Sequence, residues 1–232
     1  MLLGTTVNTL AITAGSLIGL FFSRFIPKKH SDTMLKAVAF AIILMGLKMA
    51  WKTDEFILLI CSLALGSGVG GMIGIEDRIG RLGKRLQDRF AASGEGISNA
   101  FVFTSLLYCV GPLAILGSLE SGLTGNHDIL LAKSVLDGLG SVLFAATMGI
   151  GVLFSAVPVF LYQGVIAVTA SFAKELLTPE VIAQISAVGG LLIVGMGFNM
   201  LGVSKIKVGD ILPAVFVPLA YHIAREALGL FI

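Results

Sequence analysis

Lys133 and Asp137 are the residues of this chain best placed to do chemistry. They lie four apart in the run ILLAKSVLDGLGSVLFAA, so on a helix they share a face and can pair. If that helix starts at Ile129, Asp137 sits about 12 Å along it by helical rise. Two readings follow. In one, both side chains occupy the first turns and snorkel to the headgroups. In the other they form an ion pair lining a polar cavity, with Asp137 able to exchange a proton or bind a cation. Three carboxamides, Asn8, Gln163 and Asn199, also fall in apolar runs. Each would either bond a neighbouring helix or join the pair in a substrate or ion path. Just upstream, Gly111-Pro112 interrupts SLLYCVGPLAILGSLE, and a break there frees backbone groups in apolar surroundings. Glu120, in GSLESG, is expected at the outer mouth.

Other chemistries find no support. The chain has no nucleophile elbow, phosphate-binding loop, dinucleotide fingerprint or zinc-protease signature, and no His/Cys/Asp cluster with metal-ligand spacing. Cys61 and Cys109 both lie in apolar sequence and read as packing residues, not a disulfide. We therefore expect no enzyme activity, no catalytic residue, no metal and no cofactor.

The elements that must position these residues follow from composition. Of 232 residues, 56% are hydrophobic and 13% charged, with a mean hydropathy of +0.97. Soluble domains carry about 25% charged residues, so most of this surface must face lipid. The apolar runs lack the alternation of barrel strands, which leaves an all-α, polytopic transmembrane bundle forming one integral membrane domain. At roughly 20 residues per span, about eight helices fit, near 2–22, 34–50, 56–75, 98–118, 129–156, 158–173, 181–202 and 210–224. The first is read as a retained helix, because no basic segment precedes its apolar run. The turn between the fifth and sixth is the weakest boundary, since 141–173 contains no charge.

Lys and Arg in short loops set orientation. Arg24, Lys28 and Lys29, then Arg78, Arg81, Lys84, Arg85 and Arg89, then Lys205 and Lys207 all fall in alternate loops. Those loops are expected in the cytoplasm, with the chain multi-pass in a bacterial inner membrane. Residues 76–95 stand apart, because Ile79, Leu82, Leu86 and Phe90 make an apolar stripe flanked by basic residues. An amphipathic helix on the anionic inner leaflet is the expectation, with the lipid bilayer and not nucleic acid as its partner. Gly66, Gly70 and Gly74 recur every fourth residue, as do Gly15 and Gly19. Such faces let helices pack closely in lipid, either within one protomer or in a homo-oligomer.

A weak internal repeat matches helices 1–3 to helices 6–8. Thr13-Ala14 corresponds to Thr169-Ala170, Ala37-Val38 to Ala187-Val188, and Leu63-Ala64 to Leu219-Ala220. An offset of five helices inverts the second copy, an arrangement common in secondary transporters.

The strings LGSGVGGMIGIEDRIGRLG (65–83), YCVGPLAILGSLESGLTG (108–125), LLAKSVLDGLGS (130–141) and VGGLLIVGMGFNMLGVSKIKVGDILPA (188–214) resemble the YdfK/YqgA-type family of uncharacterised bacterial inner-membrane proteins. The resemblance implies a polytopic fold and places 108–141 within the family pattern. It assigns no role to any residue. The expected function is a transporter or channel for a small solute or ion; the alternative is a non-transporting scaffold or sensor acting through the basic loop and a partner protein.

Overall fold

The structure, a computed structural model, describes residues 2–23, 28–90, 96–110, 112–173 and 178–228. In chain order the elements are α1 (Leu3–Ser23), α2 (Lys28–Ala50), α3 (Phe56–Ile73), α4 (Ile75–Arg89), α5 (Ile97–Cys109) and α6 (Pro112–Leu123). There follow α7 (Asp128–Met148), α8 (Gly151–Phe154), α9 (Ala156–Ala173), α10 (Pro179–Met200), α11 (Val208–Ile211), a 3-10 helix (Leu212–Phe216) and α12 (Val217–Ala227). No strand occurs among the described residues.

Six of these helices are long and apolar enough to cross a membrane, and a seventh is made if α5 and α6 count as one bent span. Their outward faces carry side chains such as Ile57 (81% exposed) and Met72 (91% exposed). Water would not tolerate so many of these, whereas lipid does. The expected eighth helix over 210–224 is instead three short pieces, α11, the 3-10 turn and α12. Pro213 and Pro218 account for this, since neither can donate the backbone N–H that an unbroken helix needs. At the other uncertain boundary α7 ends in Gly149, whose φ of +86° only glycine adopts cheaply. The short α8 and Ser155 then complete the turn into α9. Helix α10 starts as its sequence predicts, with Pro179 in the first turn and the Thr178 hydroxyl accepting from the Val181 N–H at 3.4 Å.

Helix packing is set by glycine, and its registers show which helices run together. A Cβ built on Gly15 would come 2.2 Å from the Gly138 carbonyl oxygen, and one on Gly19 would come 2.2 Å from that of Val142. Gly4 meets Leu130, so residue numbers rise together and α1 lies parallel to α7. Helix α2 instead runs antiparallel to α10, with Gly46 against the Gly190 carbonyl and Gly197 against Ala39 and Ile43. That direction requires the turn at 149–155. Were α7 and α9 a single span, α10 would run the other way.

Gly66 and Gly70 pack α3 against Ala214 and Asp210 of the C-terminal segment. Their small-residue face is therefore used within the chain. Gly74 belongs to a different category. It has nothing closer than Asp77 and takes φ +65° at the α3–α4 junction, so it is a hinge and not the third member of the packing face.

Candidate functional site

Helix α7 begins at Asp128, which makes Asp137 the tenth of its twenty-one residues. At 1.5 Å per residue that is about 13 Å into the helix, close to its middle. Snorkelling from the first turn does not describe Asp137. Both charged side chains are buried, Lys133 at 7% and Asp137 at 10% exposure. Lys133 Nζ bonds Asp137 Oδ2 directly. The parallel packing of α1 brings Asn8 alongside, and its Nδ2 donates to the same Oδ2 at 3.0 Å. The carboxylate is thus held by one charged and one neutral donor, from two helices whose close approach the α1 glycines permit.

The broken helix closes the other side. Helices α5 and α6 meet at a 57° bend, and α5 ends at Cys109 with Val110 extended. Pro112 opens α6, while Gly111 lies outside the described residues. Lys133 Nζ sits 5.8 Å from the centroid of the Tyr108 ring, a cation–π distance. The Tyr108 hydroxyl shares a 2.8 Å hydrogen bond with Ser141 Oγ. Cys109 is close enough for the charges of both Lys133 and Asp137 to act on it. The C-terminal end of α5 therefore lies near the lysine. A cation is favoured at that end by the helix dipole.

Tyr108 also belongs to a stack of three aromatic rings. Its centroid is 6.5 Å from that of Phe144, which meets Phe103 edge-on at 5.5 Å. Phe103 lines a cavity of about 830 Å³ with Leu106, Met148, Met196, Asn199, Arg81 and others. This cavity opens on the side carrying α4. A series of three rings thus runs from the lysine to the cavity lining, and no sequence periodicity announced it.

The other nominated residues divide. Asn199 lines the cavity, but both ends of its amide are occupied. Nδ2 donates to the Ile206 carbonyl at 2.7 Å, while Oδ1 accepts from the Ile206 N–H and from Ser204 Oγ. It pins the 201–207 loop. Gln163 is fully buried, yet neither its Nε2 nor its Oε1 has a partner among the described residues, and it does not bond Asn8. Asn8 Oδ1, Thr5 Oγ1, Ser16 Oγ and Ser105 Oγ are likewise buried without partners. Glu120, in the last turn of α6, accepts from Asn126 Nδ2 of the α6–α7 turn at 3.0 Å and is not buried. No group of three metal-ligating side chains exists among the described residues.

Helix α4 is more firmly attached than a surface helix would be. Gly83 packs on Ser98 and Phe101, and Ile79 packs against the core, while Leu82 remains 49% exposed. Its first turn is bonded reciprocally to α11. The Gly209 N–H donates to Glu76 Oε2 at 2.7 Å and the Glu76 N–H donates to Asp210 Oδ1 at 2.8 Å. Lys207 and Asp77 pair at 2.8 Å outside, both more than half exposed, where ion pairs contribute little.

Burial pushes the Glu76 carboxyl above its ordinary value of 4.5, with the Asp210 and Asp77 charges adding to the rise against the Gly209 N–H and Lys207. A raised carboxyl stabilises the fold fully below the ordinary value and loses that contribution as pH rises through the folded one. The thermal stability of the detergent-solubilised protein should therefore fall as pH rises from 4.5 through the raised Glu76 value. Glu76→Gln, which keeps an oxygen for Gly209, should flatten that slope; an unchanged slope would contradict this assignment.

Residues 3–223 match the family described as "Protein of unknown function (DUF554)". The chain belongs to this family. The DUF554 match takes in α1 to most of α12, the ion pair and the break included. The chain is 34% identical to the "uncharacterized membrane protein YdfK" of Bacillus subtilis (strain 168) over 233 residues, covering 98% of each chain. It is 27% identical to the "uncharacterized protein YqgA" of Escherichia coli (strain K12) over 232 residues, covering 98% of this chain and 99% of that one. No solved structure matches it significantly.

Proposed function

We propose that this DUF554 protein carries a small solute or ion across the bacterial inner membrane through the Asn8–Lys133–Asp137 site. The observation that carries the reading is an ion pair at mid-helix, beside a broken span and linked by the rings of Tyr108, Phe144 and Phe103 to an open cavity. Intramembrane charges are expensive to maintain and mark transport paths more often than structural joints.

The packing supports an inverted repeat around the site. Under the repeat read from the sequence, α2 with α10 and α3 with the 208–227 segment pair equivalent helices across the two halves. On this reading the site belongs to the region where the halves meet, as in secondary transporters. The cavity mouth on this reading faces the cytoplasm, because α4 exposes Arg78, Arg81, Lys84, Arg85 and Arg89, the basic excess that the positive-inside rule assigns to that side.

Flux in proteoliposomes tests the reading, using a panel of alkali cations, chloride and small polar solutes under imposed gradients. Wild-type protein should move at least one of them, and Asp137→Asn should cut that flux by roughly tenfold or more. Phe144→Ala should raise passive leak by removing the middle ring. Undiminished flux in Asp137→Asn would end this reading. No wild-type flux would favour a scaffold acting through the α4 surface.

A further inference from the structure

We infer that the cavity between α4, α5 and α10 binds one anionic phospholipid, its phosphate held by Arg81, Lys84 and Lys205 and the start of an acyl chain laid over the apolar floor. The inference stands on the cavity lining and not on the transport reading.

The rim has positive charge to spare. Arg81 and Lys84 come from α4 and Lys205 from the loop after α10, and all three line the cavity with exposed side chains. None of them belongs to an ion pair among the described residues. The two carboxylates of the lining are already engaged. Asp77 pairs with Lys207 at 2.8 Å, and Glu76 accepts from the Gly209 N–H at 2.7 Å. Arg81 reaches Asp77 only through space. Beside these cations the Asn99 carboxamide makes no hydrogen bond among the described residues. An arginine fork, two ammonium groups and an amide suit a phosphodiester, which offers acceptors on every side.

The floor asks for a chain. Val102 and Leu106 of α5, Met148 at the end of α7 and Met196 of α10 form it. Ser98 and Leu106 both line the cavity, so it runs about 12 Å along α5 by helical rise. Its volume of about 830 Å³ lies in the range of sites that bury an organic ligand. Flexible methionines accommodate an irregular aliphatic chain.

The rim also lies at the depth of lipid phosphates. Exposed apolar side chains sit next to the cations, Leu82 beside Arg81, and Val203 and Ile206 around Lys205. Basic residues interleaved with exposed apolar ones mark the headgroup boundary, and basic pockets between helices at that level take acidic lipid headgroups. A soluble phosphate would satisfy the rim but leave the floor uncovered.

Native mass spectrometry of the full chain in detergent tests this, titrated with phosphatidylglycerol, with phosphatidylcholine of the same acyl chains, or with glycerol 3-phosphate. Phosphatidylglycerol should saturate at one per chain and bind roughly tenfold or more tighter than phosphatidylcholine. Glycerol 3-phosphate should bind far more weakly than the lipid. The triple variant Arg81→Gln/Lys84→Gln/Lys205→Gln should weaken phosphatidylglycerol by roughly fivefold for each charge removed. Arg78→Gln/Arg85→Gln/Arg89→Gln removes the same charge from the part of α4 outside the cavity and should change it by less than about fivefold in all. Val102→Phe keeps every charge and should weaken the lipid by about fourfold for each methylene it displaces.

Equal losses in the two triple variants would mean a general attraction of lipid to α4 and would overturn the proposal. So would uptake of lipid without saturation at one, or glycerol 3-phosphate binding as tightly as the lipid, which would make this a site for soluble phosphates. The comparison of the three ligands on the wild-type protein decides the matter if a variant fails to fold. A specific lipid in a protein without flux leaves this site standing and the transport reading lost. Flux without a specific lipid gives the reverse.

Discussion

Replacing Asp137 by leucine is expected to cost about 3–5 kcal/mol of stability, because it leaves the Lys133 ammonium buried without its anion. The double variant Lys133→Met/Asp137→Leu removes both charges and should return to within about 1 kcal/mol of the wild type, or exceed it. Asn8 loses its acceptor in both variants, so the difference between them isolates the lysine. Thermal unfolding in detergent reads the stabilities and proteoliposome flux reads the activity. The double variant should be stable and inactive. A stable, fully active double variant would mean that the pair is only a structural joint.

The second large effect concerns α3. A Cβ on Gly70 would lie 1.8 Å from the Asp210 carbonyl oxygen, a backbone atom that no rotamer change can move away. Gly70→Ala should therefore cost about 3 kcal/mol or more, at the upper end for overpacking. Gly71 is the internal control. It is exposed, with nothing within 4 Å of its Cβ position, so Gly71→Ala should be neutral or stabilise by up to about 1 kcal/mol. Equal melting temperatures for the two variants would refute the packing described between α3 and the 210–214 segment.

Features that depend on local spacing were legible in the sequence. The four-residue separation predicts the Lys133–Asp137 pair, Gly-Pro predicts the α5–α6 break, and the stripe through Ile79 and Leu82 predicts a helix at α4. What sequence reasoning missed depends on register between distant helices. Asn8 and Asp137 are 129 positions apart, and nothing in either neighbourhood encodes that they meet. Phe103 and Phe144 are two aromatics among many apolar residues until packing stacks them against Tyr108. Asn199 has the same residue type as Asn8 but a different use, because a loop returns to it after seven residues. Gly74 continues the spacing of Gly66 and Gly70, yet the helix ends there and φ, not packing, decides its role.

The pairing of α1 with α7, α2 with α10 and α3 with the 208–216 segment also bears on biogenesis. The first three helices emerge from the ribosome long before any of their main neighbours exist. Until α7 is inserted, Asn8 has no acceptor and Gly15 and Gly19 face a groove with nothing in it. The nascent amino-terminal half must therefore wait in the bilayer as loosely associated spans. Assembly is expected late, once the last segments have been synthesised, with a correspondingly long window for quality-control proteases and insertion chaperones to act.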